Sequence, residues 1–327
     1  MLKRLLPLAD PMIAVLVVAT ALALLLPAQG PFRAAAQGVS NIGIFALFLV
    51  NGIRIAHGEI ARGLANWRFF APLFGFVFGL MALAGWCLAT LASISLPPLV
   101  ALGFVYLGCL PSTIQSATSY TTLAGGNVAL SVIGAALINI AGVFVSAPLF
   151  ALLAGEGGAL LDTGMIGRIA LILVLPFAIG QVIQRWTREW ILARRERIVW
   201  LDRLVIGIAV YVAFSGAVDE GLFGLLSPED WAVLMALVVG LLVAATGLAW
   251  ILSGALGYAL ADRIAFLFAA VQKSVAIGAP LAAILFPPEV AGFIIAPLLL
   301  YHLLQLLWAA PLAAWFAATR PAPDWPG

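Results

Sequence analysis

Lys273 has the strongest claim to chemistry in this chain. It stands in FAAVQKSVAIGAPLAAILFPPEV (268–290), about ten residues from either end of an apolar run, too deep for its ammonium to reach a surface easily. An ammonium placed there can act in three ways: as a fixed cation in the place of a mobile one, as counter-charge to an anionic solute, or as a titrating group. Gln272 and Ser274 flank it with an amide and a hydroxyl, and the helix breakers Gly278 and Pro280 follow. A second polar run, LGCLPSTIQSATSYTTLAGGNVALS (107–131), opens at Pro111, which removes a backbone donor and disfavours helix at Leu110. Thr113, Gln115 and Ser116 follow it, and Asn127 and Ser131 close the run. Asn127 is also suited to cap the helix that starts there, and Asn51, followed by Gly52, is an amide in another apolar stretch. Hydroxyls, amides and the backbone groups freed at a helix break bind ions and polar solutes; they do not form a catalytic set.

The acidic residues narrow the chemistry further. All fourteen fall at the ends of apolar runs, seven toward one side and seven toward the other. A proton relay through Asp or Glu is therefore excluded, and so is a cation site built on a buried carboxylate. No HExxH, GxSxG or P-loop pattern occurs, so no enzyme is read. Two histidines and two cysteines, Cys87 and Cys109, give no metal cluster, no disulfide framework and no cofactor site. His302 reads as a hydrogen-bonded packing residue.

These residues must be positioned by membrane helices. Of 327 residues, 64% are hydrophobic and 9% charged, with a mean hydropathy of +1.15. Soluble chains carry about 25% charged residues, so a soluble enzyme is excluded. A net charge of +2 leaves no basic face for nucleic acid. Apolar runs at 11–27, 38–56, 71–94, 98–123, 127–153, 165–184, 204–218, 231–260, 264–286 and 289–318 predict ten spanning helices. Thirteen Lys and Arg then fall on one side, against Arg33 and Arg168 on the other, which predicts two cytoplasmic termini in a multi-pass protein of the inner (plasma) membrane. The basic segment 185–203, with Trp186, Trp190 and Trp200, reads as a cytoplasmic linker against anionic lipid headgroups, and 57–70 as a surface helix on the same side.

The chain divides into 1–154 and 165–320, with five spans in each half and the basic linker inside the second. Duplicated halves with an odd number of spans must be inverted, as in secondary transporters. Both polar runs fall on the fourth span of their half, so spans 4 and 9 are read as discontinuous.

Several motifs in these runs have a family character. GNVALS (126–131) follows a broken helix that opens at Cys109-Leu110-Pro111. CLPSTIQS, the paired Gly125-Gly126, QKS before IGAP, and NGIRIAHGEIARGLANWR (51–68) accompany it. Here the chain resembles the bile acid:sodium symporter family, and within it the branch typified by the seventh human member. The resemblance implies two inverted five-helix repeats. Spans 1, 2, 6 and 7 would form a panel domain, and spans 3–5 and 8–10 a core domain in which spans 4 and 9 cross at their breaks. Ser116, Ser131 and Gln272 match sodium-liganding positions and so outline a weak sodium site. Phe268 stands where the family has a sodium-binding glutamate, Ala117 and Ala135 replace two further ligands, and Lys273 replaces an asparagine.

The expected function is a secondary active transporter of a small or amphipathic organic anion, working by alternating access with Lys273 as built-in cation. The alternatives are a sodium-dependent bile-acid-type symporter and, from another class, a non-transporting membrane regulator of envelope or ion homeostasis.

Overall fold

The computed structural model describes residues 11–55, 58, 65–155, 167, 170–221 and 226–319. The flank Lys3–Arg4, Arg168 and most of the surface helix read at 57–70 lie outside the described residues. In hydrocarbon a long apolar segment must satisfy its own backbone. Accordingly every regular element among the described residues is helical: α1 (Pro11–Leu25), α2 (Gly30–Arg54), α3 (Trp67–Ala92, with a π turn at Gly75–Leu80), α4 (Pro98–Cys109), α5 (Ile114–Leu123) and α6 (Val128–Ala154), followed by α7 (Leu175–Ala193, after a π turn at Ala170–Val174), α8 (Arg195–Asp219), α9 (Pro228–Ala255), α10 (Leu260–Val271), α11 (Val275–Leu285) and α12 (Pro288–Ala318).

Seven of these segments are long and apolar enough to cross a membrane, or eight if the bent α4–α5 pair is one span. The chain is therefore an all-α polytopic membrane protein. The boundaries correct the sequence reading at three places. Helix α2 begins at Gly30, eight residues ahead of the apolar run, because Arg33, Gln37 and Asn41 sit on its polar face and bond within the protein. Trp67–Phe70, read as part of a surface helix, opens α3. The segment 185–203 is not a loop: α7 runs to Ala193 and α8 starts at Arg195, with Arg194 as the turn between them.

Glycines set the closest helix contacts. A Cβ at Gly52 would lie 2.3 Å from the Phe177 carbonyl, and one at Gly180 2.3 Å from that of Leu49, so α2 and α7 touch backbone to backbone. Gly85 and Gly108 do the same for α3 and α4. Helix α8 packs on α1 and α2, and also on α11 and α12. The α10–α11 segment is the most enclosed, with 94% of its apolar window buried. Gly125, at φ +67°, ends α5 in the left-handed conformation, after which α6 turns back.

One end of α8 and α12 forms a seam. A Cβ at Gly216 would sit 2.0 Å from the Pro288 carbonyl, and one at Gly292 2.5 Å from the Ala217 side chain. Arg33 of α2 clasps this seam, pairing with Asp219 at the end of α8 and with Glu289 at the start of α12, the latter at 3.3 Å. Gly216→Ala should therefore lower the melting temperature in detergent, by the equivalent of roughly 1–3 kcal/mol of overpacking. Gly240→Ala, on a face of α9 with nothing within 4 Å, should leave it unchanged or raise it.

Candidate functional site

Two interrupted helices meet at the centre of the molecule. The first break, Leu110–Thr113, separates α4 from α5 and bends the pair by 62°. Pro111 lies within it, where its missing N–H costs no helical hydrogen bond. The second break is Gln272–Ser274, between α10 and α11. This corrects the sequence reading, in which Gly278 and Pro280 mark the interruption; both lie inside α11. The physical reason is capping. The Ser274 hydroxyl accepts from the Ile277 N–H and starts the helix there, upstream of both residues. Gly278 serves packing instead: a Cβ would meet Leu298 and Leu110 side chains at 2.5 and 2.7 Å.

Each break exposes backbone groups that need partners. The breaks supply some to each other. The Ser274 N–H donates to the Pro111 carbonyl at 3.0 Å, and the Thr113 hydroxyl donates to the Lys273 carbonyl at 2.8 Å. Gln305 of α12 brackets the Lys273 peptide, accepting from its N–H at 2.7 Å and donating to its carbonyl at 2.9 Å. Asn139 of α6 donates to the Ser112 carbonyl at 2.7 Å, and the Tyr301 hydroxyl donates to Val271 at 2.9 Å. His302 lies 3.3 Å from the Lys273 carbonyl and 2.8 Å from Gln305.

The Lys273 side chain is fully buried. Its ammonium donates to the carbonyls of Leu110 at 2.7 Å, Gly108 at 3.0 Å and Val77 at 3.4 Å. Two of these belong to the C-terminal end of α4, where the helix dipole places about half a negative charge. The third lies in the π turn of α3, whose hydrogen bonds are shifted by one residue. None of the ion pairs among the described residues involves Lys273.

A cavity of about 460 Å³ lies beside the breaks. Thr113, Gln115, Ser116, Ser274 and His302 line it. Phe48, Asn51, Phe177 and Ile206, from α2, α7 and α8, line it as well. Arg54, Arg195, Asp202 and Arg203 also line it, from the ends of α2 and α8 that meet near the turn at Arg194.

The expected site residues thus separate. Asn51, Thr113, Gln115, Ser116 and Ser274 line the cavity. Lys273 and Gln272 stand behind its wall, where Gln272 accepts from the Ser116 hydroxyl at 2.9 Å. Ser131 accepts from Thr121 at 3.1 Å. Asn127 caps α6 by accepting from the Leu130 N–H at 3.2 Å, while its amide donates to Asp262 at 2.8 Å. The sequence reading missed Gln305, whose signal is an amide three residues after His302 in an otherwise apolar run. It also assigned Arg54, Arg195 and Arg203 to the charged flank alone; which face of a helix such residues occupy depends on packing.

Comparison with known proteins gives matches over nearly the whole chain. The model of the SBF-like CPA transporter family matches residues 10–318. An uncharacterized protein of Pseudomonas aeruginosa is 35% identical over 311 residues, covering 93% of this chain and 92% of its own length. YfeH of Escherichia coli, named as a candidate symporter, is 33% identical over 93% of this chain and 92% of its own. The sodium/bile acid cotransporter 7 of Mus musculus is 25% identical over 84% of this chain and 82% of its own.

Gln305→Leu should destabilise the protein strongly, because it leaves a buried N–H and a carbonyl short of a partner, at about 1–3 kcal/mol each. Thr118→Val should change the melting temperature little, since the Thr118 hydroxyl is buried without a hydrogen-bond partner. Thermal unfolding of both variants in the same detergent checks the contrast.

Proposed function

Because this chain belongs to the SBF-like CPA transporter family, we propose that it is a secondary active transporter of a small or amphipathic organic anion, working by alternating access with Lys273 as its built-in cation. In this reading α1–α6 and α7–α12 are two inverted repeats of five spans, with α4–α5 and α10–α11 each one interrupted span. Helices α1, α2, α7 and α8 form the panel, and the remaining helices the core. The termini are cytoplasmic, so the cavity opens toward the cytoplasm past the arginines of α2 and α8.

The observation that carries the proposal is the contact of the Lys273 ammonium with the Leu110 and Gly108 carbonyls, 2.7 and 3.0 Å away. A half-helix C-terminus is a cation site in transporters of this architecture. Here the cation is covalently attached and needs no uptake from solution. The donor set does not suit sodium as a co-substrate. The Ser116 hydroxyl and the Gln272 amide oxygen are engaged with each other, Ser131 is engaged with Thr121, and Phe268 brings no carboxylate. A bound sodium about 4 Å from the ammonium would meet several kcal/mol of repulsion at an effective dielectric of about 20. The names of the cotransporter 7 relatives favour a second reading, a sodium-dependent bile-acid-type symporter.

Thermal stability in detergent separates the two, with sodium titrated against choline at constant ionic strength on wild type and Lys273→Ala. The expected result is a flat wild type and a sodium-dependent rise only in the variant. A saturable, sodium-specific rise in the wild type would overturn the built-in cation and restore the symporter.

Alternating access also assigns a role to the seam at the end away from the arginine-lined part of the cavity. There Arg33 links the panel to Glu289 of the core, and Gln37 donates to the Ala283 carbonyl at 3.3 Å. Arg33→Gln should loosen this closure. A cysteine placed at Ser116 in a Cys87→Ser background should then react several-fold faster with an impermeant thiol reagent applied from outside the cell. Unchanged labelling would remove Arg33 from the gate.

A further inference from the structure

The structure separates the two charges that an anion carrier of this kind needs, and we propose that Arg203, with Arg195 at the entrance, binds the anionic group of the substrate in place of Lys273. The inference rests on the transport reading above and names the residues that recognise the solute. The Lys273 ammonium is fully buried on three carbonyls and does not line the cavity, so it offers no free donor to a solute there. The counter-charge must come from the cavity wall itself.

Among the described residues, four charged side chains line that wall: Arg54, Arg195, Arg203 and Asp202. Arg54 and Asp202 pair at 3.0 Å, and Arg203 lies within electrostatic reach of the same carboxylate. Among these described groups one carboxylate stands against three guanidiniums, an excess of two positive charges. Arg195, Val199, Asp202, Arg203 and Ile206 recur at helical spacing on α8, so a single face of this helix borders the cavity. Arg195 is the first residue of α8, where the helix dipole adds positive potential. Arg203 lies about 12 Å further along the helix, given a rise of about 1.5 Å per residue. It is half-buried, with its guanidinium 5.1 Å from the centre of the Trp200 ring. Glu196 is on the same helix but does not line the cavity.

The rest of the wall describes the body of the occupant. Phe48, Val132, Phe177 and Ile206 offer apolar surface between the arginines and the polar break. Thr118 also borders this cavity, and its hydroxyl is buried without a hydrogen-bond partner. An anion entering the cavity meets Arg195 first and Arg203 second, and its apolar body then lies against the aromatic wall.

The test is equilibrium binding to purified full-length protein in nanodiscs of zwitterionic lipid. The probes are taurocholate, a permanently charged amphipathic anion, and decyltrimethylammonium, an amphipathic cation. Wild type should bind the anion saturably and the cation not at all, and affinity should fall with added salt. Arg203→Gln should weaken taurocholate at least tenfold, while Arg203→Lys should retain part of the affinity. Arg195→Gln should act chiefly on the association rate and its salt dependence. Unchanged taurocholate affinity in a folded Arg203→Gln, Arg195→Gln double variant would overturn the inference and leave the transport reading intact. Saturable binding of the cation, or of neither probe, by the wild type would instead overturn the organic-anion reading on which it rests.

Discussion

The Lys273 ammonium against the carbonyl end of α4 is the interaction on which the rest of the centre depends. Interrupting two helices inside apolar surroundings frees backbone donors and acceptors that no lipid can satisfy. The chain answers several of them with specific groups. Carbonyls at the end of α4 take the ammonium, the Lys273 peptide takes Gln305 and Thr113, and Ser112 takes Asn139. These contacts require close approach, which accounts for small residues nearby. Gly142 leaves room for the Pro111 ring, which a Cβ would meet at 2.6 Å, and Gly108 lets α4 reach the backbone of α3. The breaks, the buried amides and the glycines are consequences of one constraint.

The same constraint orders the charges. A cation deep in the protein is tolerable where backbone dipoles converge on it, and the α4 terminus supplies that. The guanidiniums are different: Arg54 ends α2, Arg195 starts α8 and Arg203 stands about two turns further in, all on the cavity wall. A lysine enclosed by carbonyls has a structural and ionic role toward its own helices, whereas an arginine facing a cavity has donors free for a solute. Distance from the midplane and the direction of each side chain divide the two functions.

Much of the fold was legible in the residues. Runs of about twenty apolar residues can only be helices, and Pro111 amid hydroxyls marked the first break. The second break was misplaced because Gly278 and Pro280 are local breakers, whereas the actual interruption at Gln272–Ser274 is held by partners from elsewhere: Pro111, Thr113 and Gln305. Local propensity cannot register a helix end created by tertiary hydrogen bonds. The facing of Lys273 was illegible for the same reason. Its depth followed from its position, but its direction depends on α4 and on the π turn of α3. The basic segment read as a linker is helical because Arg, Glu and Trp are compatible with helix, so charge density alone did not distinguish a loop from helix ends.

The distribution of these bonds also bears on what can move. The network at the breaks ties α5, α6, α10, α11 and α12 together through side-chain-to-backbone bonds that would each be costly to open in an apolar interior. Contacts of α8 with α11 and α12 are of another kind. They are close approaches at a glycine seam, Gly216 against the Pro288 backbone and Gly292 against Ala213 and Ala217, closed at one end by the Arg33 ion pairs. Such a seam can rock with little loss of area, and the partly exposed Asp219 and Glu289 can exchange Arg33 for water. A motion between the two helix groups therefore preserves the break network, whereas a motion within the break would leave buried amides and carbonyls unpaired. The proposed alternating access accordingly belongs at the α8–α12 seam, with Lys273 and its carbonyls travelling as one rigid unit.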